Sequence, residues 1–154
     1  MEIIKEYLDE KTNEYVYEFS ATKDEKKELD EICERNNTTL GKMMEAFIKW
    51  SINNPIDFAK WRLENGFSLQ KGTIGKPFLK QGDMAGFMLK PYKEDKEKFF
   101  YGSVEIVDRY GTFEQNEEPS YDIMVENFNN TGEPMFVKHI RESECVAIKI
   151  NREK

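Results

Sequence analysis

The chain contains one histidine, two cysteines and no long apolar run, and each scarcity removes a class of function. A single imidazole and two well-separated thiols cannot assemble a zinc site of the usual His and Cys spacing. The histidine, His139, stands beside Lys138 at the end of an apolar stretch, where a structural imidazole is commoner than a catalytic base. Cys33 and Cys145 each fall in an apolar pattern of different parts of the chain, which suits reduced thiols better than a disulfide. No stretch reaches the roughly 18 apolar residues of a membrane helix. The first residues also lack the basic-then-apolar order of a secretory signal, so the expectation is a cytoplasmic protein without a membrane partner. Nucleotide-binding glycine fingerprints and the nucleophile elbow are missing as well. The run Gly72-Thr73-Ile74-Gly75-Lys76 has neither the spacing of a phosphate loop nor its following Ser or Thr. The chain is therefore not expected to be an enzyme or to carry a metal or cofactor.

What is present is charge, unevenly placed. With 154 residues, 34% charged and 38% hydrophobic, the composition is that of a soluble globular chain of one or two small domains. Of the net charge of -7, the residues from Met1 to Gly66 contribute 10 Lys+Arg against 15 Asp+Glu, and the remainder 13 against 15. Sequence-independent affinity for nucleic acid comes from neutralising phosphates, so the acidic first half must focus its few cations or bind something else. Between Phe67 and Gly82 there is no acid, while Lys71, Lys76 and Lys80 give a local +3. This stretch reads as a basic linker able to track a phosphate backbone, or as a plain solvated connector.

From Tyr15 to Ile52 the apolar pattern changes period twice. Tyr15, Tyr17, Phe19 and Ala21 alternate with Val16, Glu18 and Ser20, the period of a strand. A first helix then carries Leu29, Ile32 and Cys33. After the turn Asn36-Asn37-Thr38-Thr39, a second carries Leu40, Met43, Met44, Phe47 and Ile48 along one face. Two helices this short cannot enclose a core alone, and the pattern asks for a partner chain. Residues Met1 to Asn13 fit a helical turn through Ile3, Ile4, Tyr7 and Leu8. They fit equally a hairpin turning at Asp9-Glu10-Lys11-Thr12-Asn13, which is the preferred reading. A third helix is expected from Asn54 to Asn65, with Asn54 as its cap, Pro55 at its first position, Gly66 closing it, and Phe58 and Trp61 on its apolar side.

The strand, helix, helix order from Tyr15 to Ile52 resembles the ribbon-helix-helix class of the Arc and Met repressors. That resemblance implies a homodimer whose paired strands enter the major groove of double-stranded DNA. The outward residues Val16, Glu18 and Ser20 would then face bases, a set without the Arg, Lys, Asn or Gln that make bidentate contacts. The start of the second helix would meet the phosphate backbone through Thr38 or Thr39, with Gly41 leaving amides open and Lys42 adding charge. Taken alone, these threonines merely cap a helix.

Beyond Gly82 the chain breaks into short strands: Met84 to Leu89; Phe99 to Val107, with Phe100, Val104 and Ile106 on one face; Tyr121 to Glu126, with Tyr121, Ile123 and Val125 inward; Met135 to His139; and Cys145 to Ile150. A helical turn over Ile140-Arg141-Glu142-Ser143 precedes the last. Arg141 and Glu142 are candidates for an ion pair. Five strands with such a turn before the fifth resemble an SH3-like barrel, as in Tudor and KOW modules, and the resemblance implies a ligand site on the loops. The long loop from Asp108 to Ser120 offers Tyr110 and Phe113 for stacking and Gln115 and Asn116 for hydrogen bonds.

These readings define an α+β protein: a ribbon-helix-helix dimerisation domain over residues 1-66, a basic linker over 67-82 and a five-stranded SH3-like β-barrel over 83-154. The function expected first is that of a dimeric DNA-binding accessory regulator of bacteria or their mobile elements. The alternative is an acidic adaptor or inhibitor that occupies a basic, nucleic-acid-binding protein partner.

Overall fold

A computed structural model describes residues 1–91, 96–112, 117–129 and 132–151. The chain is α+β, and its described residues include three helices, a two-stranded hairpin and a five-stranded antiparallel sheet. It divides into two compact units, Met1–Lys49 and Trp50–Lys154.

The first unit begins with the hairpin. β1 (Glu2–Asp9) pairs antiparallel with β2 (Glu14–Ser20), and Asn13 closes the turn by adopting φ 59° and donating its amide to the Asp9 carbonyl at 2.8 Å. Asparagine tolerates that left-handed conformation because its short side chain can bond locally. Helix α1 (Lys23–Arg35) starts with a reciprocal cap. The Thr22 hydroxyl accepts from the Glu25 amide at 3.1 Å while the Glu25 carboxylate accepts from the Thr22 amide at 2.9 Å. A second left-handed asparagine, Asn37 at φ 48°, turns the chain into α2 (Leu40–Asn53). Tyr17 and Phe19 join Met44 and Ile48 around an apolar cavity of about 540 Å³, whereas Tyr15, expected on the same face, is 65% exposed. Cys33 and Met43 place their sulfurs 3.7 Å apart. Yet no residue from Met1 to Lys49 is buried, and Met44, Phe47 and Ile48 stay 39%, 44% and 51% exposed.

The second unit holds the core. Helix α3 (Pro55–Glu64) follows, and Gly66 ends its last turn at φ 78°. The strands β3 (Met84–Leu89), β4 (Lys98–Asp108), β5 (Ser120–Val125), β6 (Met135–Arg141) and β7 (Cys145–Lys149) lie in the order β6-β5-β4-β3-β7, all antiparallel. A single 3-10 turn, Glu142–Glu144, joins β6 to β7. Phe87, Val104, Tyr121, Ile123, Val125 and Cys145 are fully buried. Helix α3 lies on β7 and β3, with Ala59 inaccessible and Arg62 Nη2 donating to the Ala147 carbonyl at 2.5 Å.

Two expectations change here. Residues 67-82 are not a linker: the Leu69 amide donates to the Cys145 carbonyl at 2.7 Å, and Leu79 is fully buried within the sheet's core cluster. The stretch has apolar residues to spend and no carboxylate to keep in water, so it packs. The division consequently falls within α2, not after Gly66. Ile106 does not share a face with Phe100 and Val104 but is 51% exposed. A register shift between Val104 and Ile106 inserts an extra residue, so that beyond it Val107, not Ile106, packs against the core.

A fragment of residues 50-154 should melt cooperatively, whereas one of residues 81-154, lacking Ala59, Leu69 and Leu79, should not. Cooperative melting of the shorter fragment at a similar temperature, followed by circular dichroism, would show that the preceding segment contributes nothing to the core.

Candidate functional site

The ribbon face is built by cross-strand pairing. Val16 lies opposite Tyr7, Glu18 opposite Lys5 and Ser20 opposite Glu2, so the three expected outward residues share their face with three strand partners of different chemistry. Lys5 and Tyr7 also touch, the ammonium lying 4.9 Å from the ring centroid. Glu18 is thus not isolated from cations, a consequence of the β1 pairing. Val16 is half-buried, and Glu18 and Ser20 are exposed.

At the start of α2, Thr39 is the cap: its hydroxyl accepts from the Lys42 amide at 3.3 Å and its carbonyl from Met43 at 3.0 Å. Thr38 is instead half-buried, its amide donating to the Cys33 carbonyl at 3.0 Å. Gly41 faces open space and Lys42 is exposed. Of the four expected backbone-binding residues, three therefore line the solvent side of the helix start and Thr38 closes the turn.

In the second unit, sequence reading missed a buried carboxylate. Glu142 is 2% exposed and accepts from the Phe78 amide at 2.7 Å and from the Tyr121 hydroxyl, while the Tyr121 oxygen accepts from the Leu79 amide at 3.1 Å. Glu142 therefore does not pair with Arg141, whose guanidinium lies 3.6 Å from Glu144. Gly72 abuts the same carboxylate so closely that a Cβ there would overlap Glu142 Oε2. Next to this network, Glu118 is 6% exposed and accepts from the amide and hydroxyl of Ser143 at 2.7 and 3.0 Å. The signal in the sequence was faint: Glu142 and Glu118 stand among 30 carboxylates. His139 is structural in setting, with φ 62° at a bulge and its amide donating to Asp122 Oδ1 at 2.8 Å.

The three lysines of the acid-free stretch separate. Lys71 lies 3.2 Å from Glu117, whereas Lys76 and Lys80 line a depression of about 480 Å³ together with Arg109. Tyr110, from the expected loop site, is 59% exposed beside them, its ring against Gly75. Phe113, Gln115 and Asn116 lie outside the described residues. Among the described residues no group of three or more His, Cys, Asp or Glu gathers as a metal site, and no helix is long and apolar enough to cross a membrane. No protein-family model, curated protein or solved structure matches the chain.

Burial, reinforced by the hydrogen bond to Glu142, holds the Tyr121 phenol well above its ordinary value of 10.0. The folded state keeps a proton that the unfolded chain releases above that value, so the stabilisation is full below about pH 10 and declines as pH rises further. Tyr121→Phe should cost about 1–3 kcal/mol at neutral pH by leaving the Leu79 amide and Glu142 short of a partner. In urea titrations at successive pH values, the gap between wild type and variant should narrow above pH 10; a constant gap would separate the phenol from the network.

Proposed function

We propose that the chain works as a homodimer whose first unit is a ribbon-helix-helix-like module completed by a second copy, and that the dimer binds double-stranded DNA as an accessory regulator. One observation carries the reading: a hairpin followed by two helices, with an apolar stripe on the second helix and no buried residue. A second copy of α2 laid against the first would cover Met44, Phe47 and Ile48 and supply the missing core. The same apolar side chains would serve both protomers, as a twofold interface requires. The Thr39 cap, the open Gly41 and the exposed Lys42 suit a phosphate at the start of α2. For the second unit, the strand order with a 3-10 turn before the last strand supports an SH3-like reading.

A protein-facing use of the same dimer, as an adaptor or inhibitor of a basic nucleic-acid-binding partner, is favoured by two observations. The first unit carries 8 Lys+Arg against 13 Asp+Glu. β2 is also already paired with β1, so adding the partner's β2 makes a sheet four strands wide. At a spacing of about 4.8 Å between strands, that sheet spans about 14 Å between its outer strands. The major groove is about 12 Å wide. Base contact would then be confined to the central strands.

Assembly is tested by Phe47→Asp, which should dissociate or unfold the first unit by burying an unpaired carboxylate. A folded wild-type monomer in sedimentation at micromolar concentration, with the substitution tolerated, would remove the ribbon-helix-helix reading.

The choice between partners turns on Glu18→Gln. On DNA, the amide removes a repulsive charge and can pair with adenine, so affinity should rise in fluorescence anisotropy. On a basic protein, losing a charge-assisted hydrogen bond should weaken the complex by about 1.5–3 kcal/mol. No duplex binding by either form at low salt would leave the protein-facing use.

A further inference from the structure

The depression on the second unit has a composition unlike the rest of this acidic chain. Lys76, Lys80 and Arg109 line it with Gln81, over an apolar floor that includes Leu79 and Val107, and no carboxylate is among its described lining residues. Its parts come from two places in the sequence: the turn before β3 and the end of β4. Their meeting is enforced by backbone pairing. The Gly75 amide donates to the Arg109 carbonyl at 2.9 Å, and Arg109 Nη2 donates to the Gly75 carbonyl at 2.8 Å. The Thr73 carbonyl accepts from the Lys76 amide at 2.9 Å, tightening the turn that Gly75 makes at φ 84°. One guanidinium donor is therefore spent on holding the arginine in place, and the others are left for a ligand.

The neighbouring carboxylates have partners: Asp108, next to Arg109 in the chain, accepts from the Tyr110 amide at 3.3 Å. Asp83 is 2% exposed and accepts from the Lys80 and Asn151 amides at 2.8 and 3.0 Å. Glu117 lies with Lys71, outside the depression. Lys76, Lys80 and Arg109 form no ion pair among the described residues. One exposed ring stands by, that of Tyr110, packed on Gly75. Converging cations with no acid among their described lining partners, beside an exposed aromatic ring, are elements by which proteins hold a nucleic-acid strand, the charges following the phosphates and the ring meeting a base or sugar.

We propose that this depression is a nucleic-acid backbone site, in which Lys76, Lys80 and Arg109 neutralise successive phosphates and Tyr110 flanks the strand. It is independent of the ribbon and deepens the DNA-binding reading by giving the second unit a share of the contact.

The test uses the full chain and labelled random-sequence DNA, as duplex and as single strand, titrated by fluorescence anisotropy over a range of salt. The combined variant Lys76→Gln, Lys80→Gln, Arg109→Gln should lower the slope of log affinity against log salt by about two to three, close to one per cation removed, and weaken low-salt binding by at least about tenfold. Lys71→Gln should leave the slope unchanged because that lysine is outside the depression, and Lys76→Arg with Lys80→Arg should retain it. Unaltered thermal melting of the combined variant separates lost contact from lost fold. An unchanged slope in the combined variant overturns the site, as does equal loss from Lys71→Gln, which would reduce the effect to net charge. Displacement of DNA by millimolar inorganic phosphate would make it a free-phosphate site, and equal binding of polyglutamate a site for acidic protein; either overturns the assignment. If the wild type proves monomeric while the slope still falls, the dimer reading fails and this site stands. If Glu18→Gln alters binding and the depression variants do not, the converse holds.

Discussion

Burying the Glu142 carboxylate constrains everything around it. A carboxylate removed from water must be met by donors, and here they come from two separated places: the Phe78 amide and, acting through the Tyr121 hydroxyl, the adjacent Leu79 amide on one side, and that hydroxyl itself on the other. The two amides belong to the segment leading into the sheet, the hydroxyl to β5. Satisfying one charge therefore ties residues 78 and 79 against the core and fixes the path of the turn before them. Gly72 adds a steric condition, since only a residue without Cβ can lie so close to Glu142 Oε2. The position of Lys76 and Lys80 beside Arg109 follows from this arrangement.

The first unit meets the opposite condition. Its local structure is well specified by the Thr22 and Glu25 cap, the left-handed Asn13 and Asn37 and the Thr39 cap, yet none of these supplies an interior. Caps contribute about 1 kcal/mol each. The missing contribution is hydrophobic burial, and Met44, Phe47 and Ile48 are poised to provide it only if something covers them. On the proposed dimer reading, a second copy would be that cover, presenting the same stripe and needing no other sequence.

Local signals in the sequence were legible where they act locally. Asn54, Pro55 and Gly66 delimit α3 within a residue or two, and the alternation of Tyr121, Ile123 and Val125 identifies the inner face of β5. What escaped depends on long-range pairing. The acid-free stretch looked like a connector because lysines and glycines punctuate it, and only the sheet reveals that Leu69 and Leu79 have a place to go. Ile106 was misplaced because strand alternation assumes a constant register, which the bulge breaks. Glu142 could not be singled out since its partners lie 21 and 64 residues away. Of the candidate site residues, Thr39 declared itself by its place before a helical pattern, whereas Arg109 acquired its role only by meeting the Gly75 turn.

Charge and shape together bear on how a chain of net -7 could engage nucleic acid. Beyond a Debye length, about 8 Å in physiological salt, the net charge is largely screened. Within that distance the local arrangement decides. The hairpin opposes Lys5 to Glu18, but from Glu2 to Ser20 it carries two lysines against six carboxylates, so its own field repels a phosphate lattice. The depression on the second unit concentrates three cations over an apolar floor, with no carboxylate among its described lining residues. Such a protein would bind nucleic acid by focus and not by bulk attraction, and its overall acidity would then suppress nonspecific association while leaving the local contact intact.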